Sequence, residues 1–311
     1  MLKDQIEDFL GRYLSLHTQG AYRQDLENLF YFCKNELYFP LENINQITEK
    51  LLILWVQWMK NSAPATTARR LASVSAFFQH AIKKKWASQN PALFMKRPKI
   101  SRQGKTSCLT AQEVQFILEC AKTNFESVDP MKNLQNYLKK KKEYIIAYAL
   151  FSVGMRVEEL CSLRMGDVEF IDAQAGRLHM VTKGGLMHSP WLHPQTLHWL
   201  RVYKEEQRQG AADHEPFFVG RSALLPLHRA TVYRMITSLA TQAGIEKPVS
   251  PHSCRVTLAT LLHQQGVPLG DIQDLLSHKQ LATTSLYIRA STDAEHAAAP
   301  QLKLKRENRS I

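Results

Sequence analysis

The chain of 311 residues carries 40 Lys and Arg against 28 Asp and Glu, a formal net charge of +12. Its 44% of hydrophobic residues exclude a wholly disordered chain and suffice to bury the cores of two domains. The charge favours polyanionic partners, nucleic acid first, with an anionic membrane surface or a merely basic globular protein as the alternatives.

Cys33, Cys108, Cys120, Cys161 and Cys254 are scattered without a Cys-x-x-Cys pair. That pattern argues against a zinc module or a disulfide scaffold and fits a reducing cytoplasm. No apolar run approaches a membrane span, and MLKDQIEDFLGRYL lacks the apolar core of an export signal. The expectation is a soluble, cytoplasmic protein with no membrane partner.

Residues 1–95 read as four helices: IEDFLGRYLS, AYRQDLENLFYFCKNELYF, TEKLLILWVQWMKN and PATTARRLASVSAFFQHAIKKKW. In the second, Tyr22, Leu26, Leu29, Phe30 and Cys33 form one apolar stripe. In the fourth, Leu71, Val74, Phe77, Phe78 and Ile82 form another, and three closing lysines suit a helix C-terminus. Residues 90–110, NPALFMKRPKISRQGKTSCLT, have two prolines, a glycine and no acidic residue around Lys96, Arg97, Lys99, Arg102 and Lys105. Such a stretch reads as an interdomain linker.

A helix resumes at TAQEVQFILECAKT, with Thr110 and Glu113 as a capping box. The polar stretch 123–142 has no clear pattern; its four lysines either touch phosphates or line a solvated helix face. EYIIAYALFSVGMRVEELCSLRMGDVEF then gives two helical runs broken at Gly154, and GRLHMVTKGGLMHSPWLH alternates around a Gly184-Gly185 hairpin turn. Helices follow at 194–210, 229–243, PHSCRVTLATLLHQQG and GDIQDLLS, the last with Ile272, Leu275 and Leu276 facing inward.

Five polar residues stand in places that ask for a reason. Arg156 follows Gly154 among apolar residues, one turn before Glu159, so it either forms a structural pair or presents a guanidinium oriented for bidentate binding of a phosphate. His252 and Arg255 share a helix face, Lys183 stands at the hairpin turn, and Tyr287 lies between Leu286 and Ile288. Each has a bland reading: a cap, a solvated lysine, a buried hydrogen-bonded tyrosine.

Together with His278, these residues carry a resemblance. GMRVEEL with Arg156, TKGG with Lys183, HSCR with His252 and Arg255, and LLSHKQLATTSLY with His278 and Tyr287 resemble the tyrosine recombinase (phage integrase) family in order and spacing. The resemblance implies a mainly α fold: a helical, SAM-like core-binding domain over 1–95, a basic linker over 96–107, and a catalytic domain over 108–292 that is mostly helical with a small β-sheet. The tail 293–311 reads either as a segment docking on a neighbouring protomer, with Leu302 and Leu304 as its anchors, or as a frayed end. It is the simpler two-domain bacterial members, chromosome-dimer resolvases and mobile-element recombinases, that the chain looks like. Cys254, Val256, Ser277, Leu186 and His188 depart from residues frequent in the family, and leave the proposed catalytic side chains in place.

As the resemblance has it, Tyr287 attacks a DNA phosphodiester, giving a 3′-phosphotyrosyl bond and a free 5′-hydroxyl. His252 takes the phenol proton, Arg156 and Arg255 clamp the non-bridging oxygens, Lys183 protonates the leaving oxygen, His278 donates to the phosphate, and Glu159 supports Arg156. No cofactor and no metal are expected. The implied partner is duplex DNA with a specific recombination site, held by a homotetramer on two sites or a hetero-oligomer with a related recombinase. Arg69, Arg70, Gln79, Lys96, Arg97, Lys99, Arg102, Arg229 and Arg234 are candidate DNA contacts. A type IB topoisomerase and a noncatalytic DNA-binding architectural protein are the competing readings.

Overall fold

A computed structural model describes residues 2–98, 106–182, 185–220 and 225–277. Lys99, Arg102, Lys105, Lys183, Gly184, His278, Tyr287 and the tail from 293 lie outside the described residues. The chain divides into two compact units, Met1–Ser101 and Arg102–Ile311. Both are built mainly from helices, the second with short antiparallel strands.

The first unit holds α1 (Leu2–Gly11), α2 (Leu16–Asn35), α3 (Glu49–Trp58) and α4 (Pro64–Lys83). Helix α2 starts at Leu16, ahead of the expected Ala21, because Ser15 accepts the Thr18 N–H at 3.3 Å and so caps an earlier turn. Thr48 caps α3 in the same way, and Pro64 opens α4 at a position whose N–H has no helical partner. Leu26, Leu29 and Cys33 are fully buried, while Tyr22 and Phe30 flank that stripe half-buried. In α4 the inward set is Leu71, Val74, Phe77, Phe78 and Ala81. Ile82, expected in the core, is instead exposed: Ala81 lies one turn past Phe77 and takes the inward place.

This unit also buries a charge. Asp25 is wholly inaccessible, and its Oδ2 accepts from Arg69 Nη1 at 2.5 Å and Ser73 Oγ at 2.6 Å. Arg70 Nε stands 3.9 Å from its other oxygen. Two hydrogen-bond donors and one nearby guanidinium charge, all on one helix, thus compensate a carboxylate that burial alone would make costly.

In the second unit, α5 (Ala111–Glu126) begins at a Thr110–Glu113 capping box, with both reciprocal bonds present. The unpatterned stretch resolves into α6 (Pro130–Val153), started by Asp129 and interrupted at Asn133, where the backbone leaves helical geometry. Two of its lysines fit neither expected role. Lys141 is buried, with Nζ 2.6 Å from Glu206 on α8 (Pro194–Gln207) and set over the Tyr137 ring. Lys142 donates to Val219 O at 2.8 Å, and loss of hydration pushes its pKa down. Both side chains join elements, Lys141 from a buried position and Lys142 from a half-buried one.

Gly154 ends α6 in the left-handed region at φ +67. A Cβ there would also stand 2.8 Å from Leu258 and Leu276 side-chain atoms, so glycine suits both the conformation and the close approach. The chain then enters α7 (Val157–Ser162).

The expected hairpin is present, and its first strand carries a second pairing on its other edge. Strand β1 (Val168–Phe170) pairs antiparallel with β2 (Gly176–Leu178), and β3 (Met180–Val181) with β4 (Met187–His188). Across the hairpin Arg177 bridges Trp191 in the register of β3–β4, with Leu178 N–H donating to Pro190 O at 3.1 Å and Leu192 N–H to Gly176 O at 2.9 Å, so β2 pairs with β1 on one side and with residues 190–192 on the other. Three further helices, α9 (Arg229–Gln242), α10 (Pro251–Gln264) and α11 (Leu269–Leu275), complete the described part of the unit. Ile272, Leu276 and Ala259 form a small cluster between α10 and α11, with Leu258 and Leu262 at its edge; Leu275 is only half-buried.

Candidate active site

The site grows from the break at Gly154. Because α6 stops there, Arg156 is extended and becomes the N-cap residue of α7. Glu159 at the third helical position accepts the Arg156 backbone N–H at 2.7 Å and Arg156 Nη1 at 2.5 Å. One carboxylate thus satisfies an orphan helix donor and fixes a guanidinium. Glu159 is buried and Arg156 is partly open to solvent, so the pair is anchored on the inside and available on the outside.

The second arginine arrives from α10. Ser250 caps that helix and Pro251 occupies its first turn, which sets His252 and Arg255 on its N-terminal turns. Arg255 is only 2% exposed and donates from Nη1 to Gly154 O at 2.7 Å and from Nη2 to Leu276 O. The same Nη1 lies 3.9 Å from Glu159 Oε2. Two of the five N–H donors of the guanidinium are thus spent on backbone carbonyls at the ends of α6 and α11. Sequence reasoning missed these partners, since a carbonyl leaves no residue-type signal.

His252 stands beside both arginines. Loss of hydration, then the positive charges of Arg255 and Arg156, hold its pKa below the ordinary histidine value. Its surface is exposed, so the two charges are the firmer part of that cause. A neutral imidazole next to two guanidiniums can accept a proton while the arginines attract an anion.

The structure therefore brings Arg156, Glu159, His252 and Arg255 together, whereas Lys183, His278 and Tyr287 lie outside the described residues. The chain reaches His278 directly from Ser277, which follows α11 at φ +48. That left-handed conformation costs a residue with a Cβ about 1 kcal/mol.

The candidate DNA contacts divide. Arg69 and Arg70 are tied to Asp25, although the Arg69 side chain keeps 49% of its surface. Gln79, Lys96 and Arg97 are exposed, and Arg229 is exposed with a 3.7 Å approach to Glu158. Arg234 lines a groove of about 1230 Å³ with Lys139, Lys140 and Lys142; Arg156, His252 and Arg255 do not contribute to it. Among the described residues, no group of three or more His, Cys, Asp or Glu side chains could hold a metal ion. No helix among them is long and apolar enough to cross a membrane.

Residues 107–294 match the model of the phage integrase family, and residues 8–85 match the phage integrase N-terminal SAM-like domain. A tyrosine recombinase of Pseudothermotoga lettingae is 28% identical over 279 residues, covering 89% of this chain and 88% of the relative. Among solved structures, XerH site-specific recombinase bound to palindromic difH substrate in a post-cleavage complex superposes with a TM-score of 0.69. The match has 18% identity and covers 90% of this chain and 80% of that one. A lambda integrase tetramer bound to a Holliday junction gives a TM-score of 0.66 at 20% identity, covering 91% of this chain and 75% of that one. At these identities the structural likeness is one of fold.

Proposed function

Since the chain belongs to the phage integrase family, we propose that it is a site-specific DNA recombinase that cleaves and rejoins DNA through a 3′-phosphotyrosyl intermediate. The observation that carries this reading is the convergence of Arg156, Arg255 and His252 around the buried carboxylate of Glu159. That cluster offers the partly exposed Arg156 guanidinium and the exposed His252 imidazole beside a buried, fixed Arg255.

In the proposed reaction the phenol oxygen of Tyr287 bonds to phosphorus as the bond to the 5′-oxygen breaks. The phenol proton passes to His252, and Lys183 gives a proton to the departing oxygen. A free tyrosine ionises near pH 10, so a neutral histidine that can take the proton removes a real barrier. Arg156, Arg255 and His278 meet the charge that grows on the non-bridging oxygens. One such donor is worth about 3 to 4 kcal/mol of transition-state stabilisation. Because the phosphotyrosyl bond conserves the phosphodiester, attack by a 5′-hydroxyl from a second duplex reverses the step and exchanges strands.

On this reading, 1–95 is the core-binding domain, 96–107 the linker along the DNA backbone, 108–292 the catalytic domain, and 293–311 a tail docking in trans. Four protomers, of one kind or two, hold two sites and pass through a Holliday junction; the similar lambda integrase tetramer is bound to such a junction. We place the protein in the cytoplasm on DNA, in keeping with five free cysteines and a net charge of +12.

The test is covalent trapping on a pool of nicked duplexes tiled across the host genome. The unaltered chain should leave an adduct that maps to Tyr287, and Tyr287→Phe should bind the recovered duplex without forming one. A normal adduct from Tyr287→Phe overturns the nucleophile assignment. Two differently marked copies of the recovered site then separate strand exchange from simple relaxation.

A further inference from the structure

We propose that His188 is a positioning residue of the cleavage site, acting through a hydrogen bond that pins the β3–β4 hairpin to the C-terminal end of α11. The proposal rests, for its catalytic half, on the recombinase reading above.

The hairpin is joined to the unit at its base, where residues 176–178 pair with β1 on one side and with 190–192 on the other. Toward the turn its ladder consists of Met180 with His188 and Val181 with Met187. Val181, Leu186 and Met187 face outward, leaving Met180 and Thr182 as its buried side chains. Thr182 closes the neck by donating its N–H to Leu186 O at 2.8 Å, a bond internal to the hairpin.

His188 reaches outside it. Its Nε2 stands 2.9 Å from Leu275 O. A carbonyl can only accept, so that nitrogen carries the proton in the bond, in the neutral and the charged ring alike. Leu275 is the last residue of α11, and its carbonyl is one of those a helix leaves without an internal partner. The following carbonyl, Leu276 O, takes Arg255 Nη2. Two successive carbonyls at one helix end are therefore capped by side chains from two different parts of the chain, the hairpin and α10. Ser277 then turns the backbone at φ +48.

Sequence distance gives this bond its consequence. Lys183 lies five positions before His188, and His278 three after Leu275. The bond thus ties the hairpin neck on the lysine side to the segment that leads to His278 and Tyr287. Its role is to set geometry, with the ring itself making no contact to phosphate.

The experiment compares the full chain with His188→Ala, His188→Asn and His188→Gln. The glutamine amide can place a donor near the position of Nε2, whereas asparagine is too short. Hydrogen exchange without DNA should quicken in His188→Ala both in 180–188 and just after Leu275, with the rest of the second unit unchanged. Unchanged exchange at either end overturns the proposal whatever the chain's activity. On the duplex recovered by trapping, single-turnover adduct formation should fall about tenfold in His188→Ala and His188→Asn, the scale of one lost hydrogen bond, at unchanged DNA affinity. His188→Gln should recover most of the rate. Cleavage by His188→Ala at the unaltered rate, or a glutamine variant as slow as alanine, overturns the positioning role. Absence of any adduct from the unaltered chain refutes the recombinase reading and its catalytic corollary, while hydrogen exchange still decides the link.

Discussion

Glu159→Gln tests the idea that one buried carboxylate holds the cationic cluster together. The substitution keeps the shape of the side chain and one acceptor oxygen, but replaces the other with an amide NH₂ that must face an N–H donor. In the structure both oxygens are in use, one on Arg156 Nη1 at 2.5 Å and the other on the Arg156 backbone N–H at 2.7 Å. The second oxygen also sits 3.9 Å from Arg255 Nη1. A hydrogen bond to a charged group contributes about 1.5 to 3 kcal/mol. Breaking a fully buried ion pair costs about 3 to 5 kcal/mol, a figure that must be discounted here because the Arg156 side chain retains 30% of its surface. The expected loss is therefore about 2 kcal/mol for the second unit, read by urea unfolding as a lowered midpoint at constant m-value. Adduct formation should fall by roughly 10² or more as the guanidiniums lose their fixed orientation. A variant within about 0.5 kcal/mol of the unaltered chain that also cleaves at its rate would show that Glu159 orients nothing, because surface-like substitutions stay in that range.

Two further expectations concern charge. His252 has a pKa below the ordinary value, so between that value, about 6.5, and its own lower one the unfolded chain binds more protons than the folded chain. Stability should fall as pH drops through that window and level off beneath it. The acid limb of adduct formation by the free enzyme should likewise lie below pH about 6.5, and an NMR titration placing His252 at or above that value would contradict the account. Lys141→Met should lower stability by at most about 1 kcal/mol, because the Glu206 side chain keeps 37% of its surface and water replaces the lost partner, and should leave the salt dependence of DNA affinity unchanged. A salt slope reduced by about one unit would instead mark Lys141 as a phosphate contact.

Much of the framework was legible because it is written in local patterns. The Thr110–Glu113 capping box, the apolar stripe through Leu26, Leu29 and Cys33, and the break at Gly154 each depend on residues within a turn or two, and each is present as read. The grouping of Arg156, His252 and Arg255 came from the resemblance of their motifs, since nothing in composition or periodicity joins residues about a hundred positions apart. Where local pattern was absent, as in 123–142, α6 forms because Tyr144, Ile145, Ala147, Leu150 and Phe151 bury against the rest of the unit, and its polar first half follows.

What the sequence by itself determined was most of the helices, the Thr110–Glu113 cap and the break at Gly154, which follow from neighbours along the chain. Only the tertiary structure decided that Arg255 is locked onto Gly154 O and Leu276 O, that Lys141 turns inward to Glu206, and that His188 binds the end of α11. Those choices belong to carbonyls and carboxylates tens of residues away. A polar side chain settles on whichever unsatisfied partner burial leaves within its reach, and burial is a property of the folded whole.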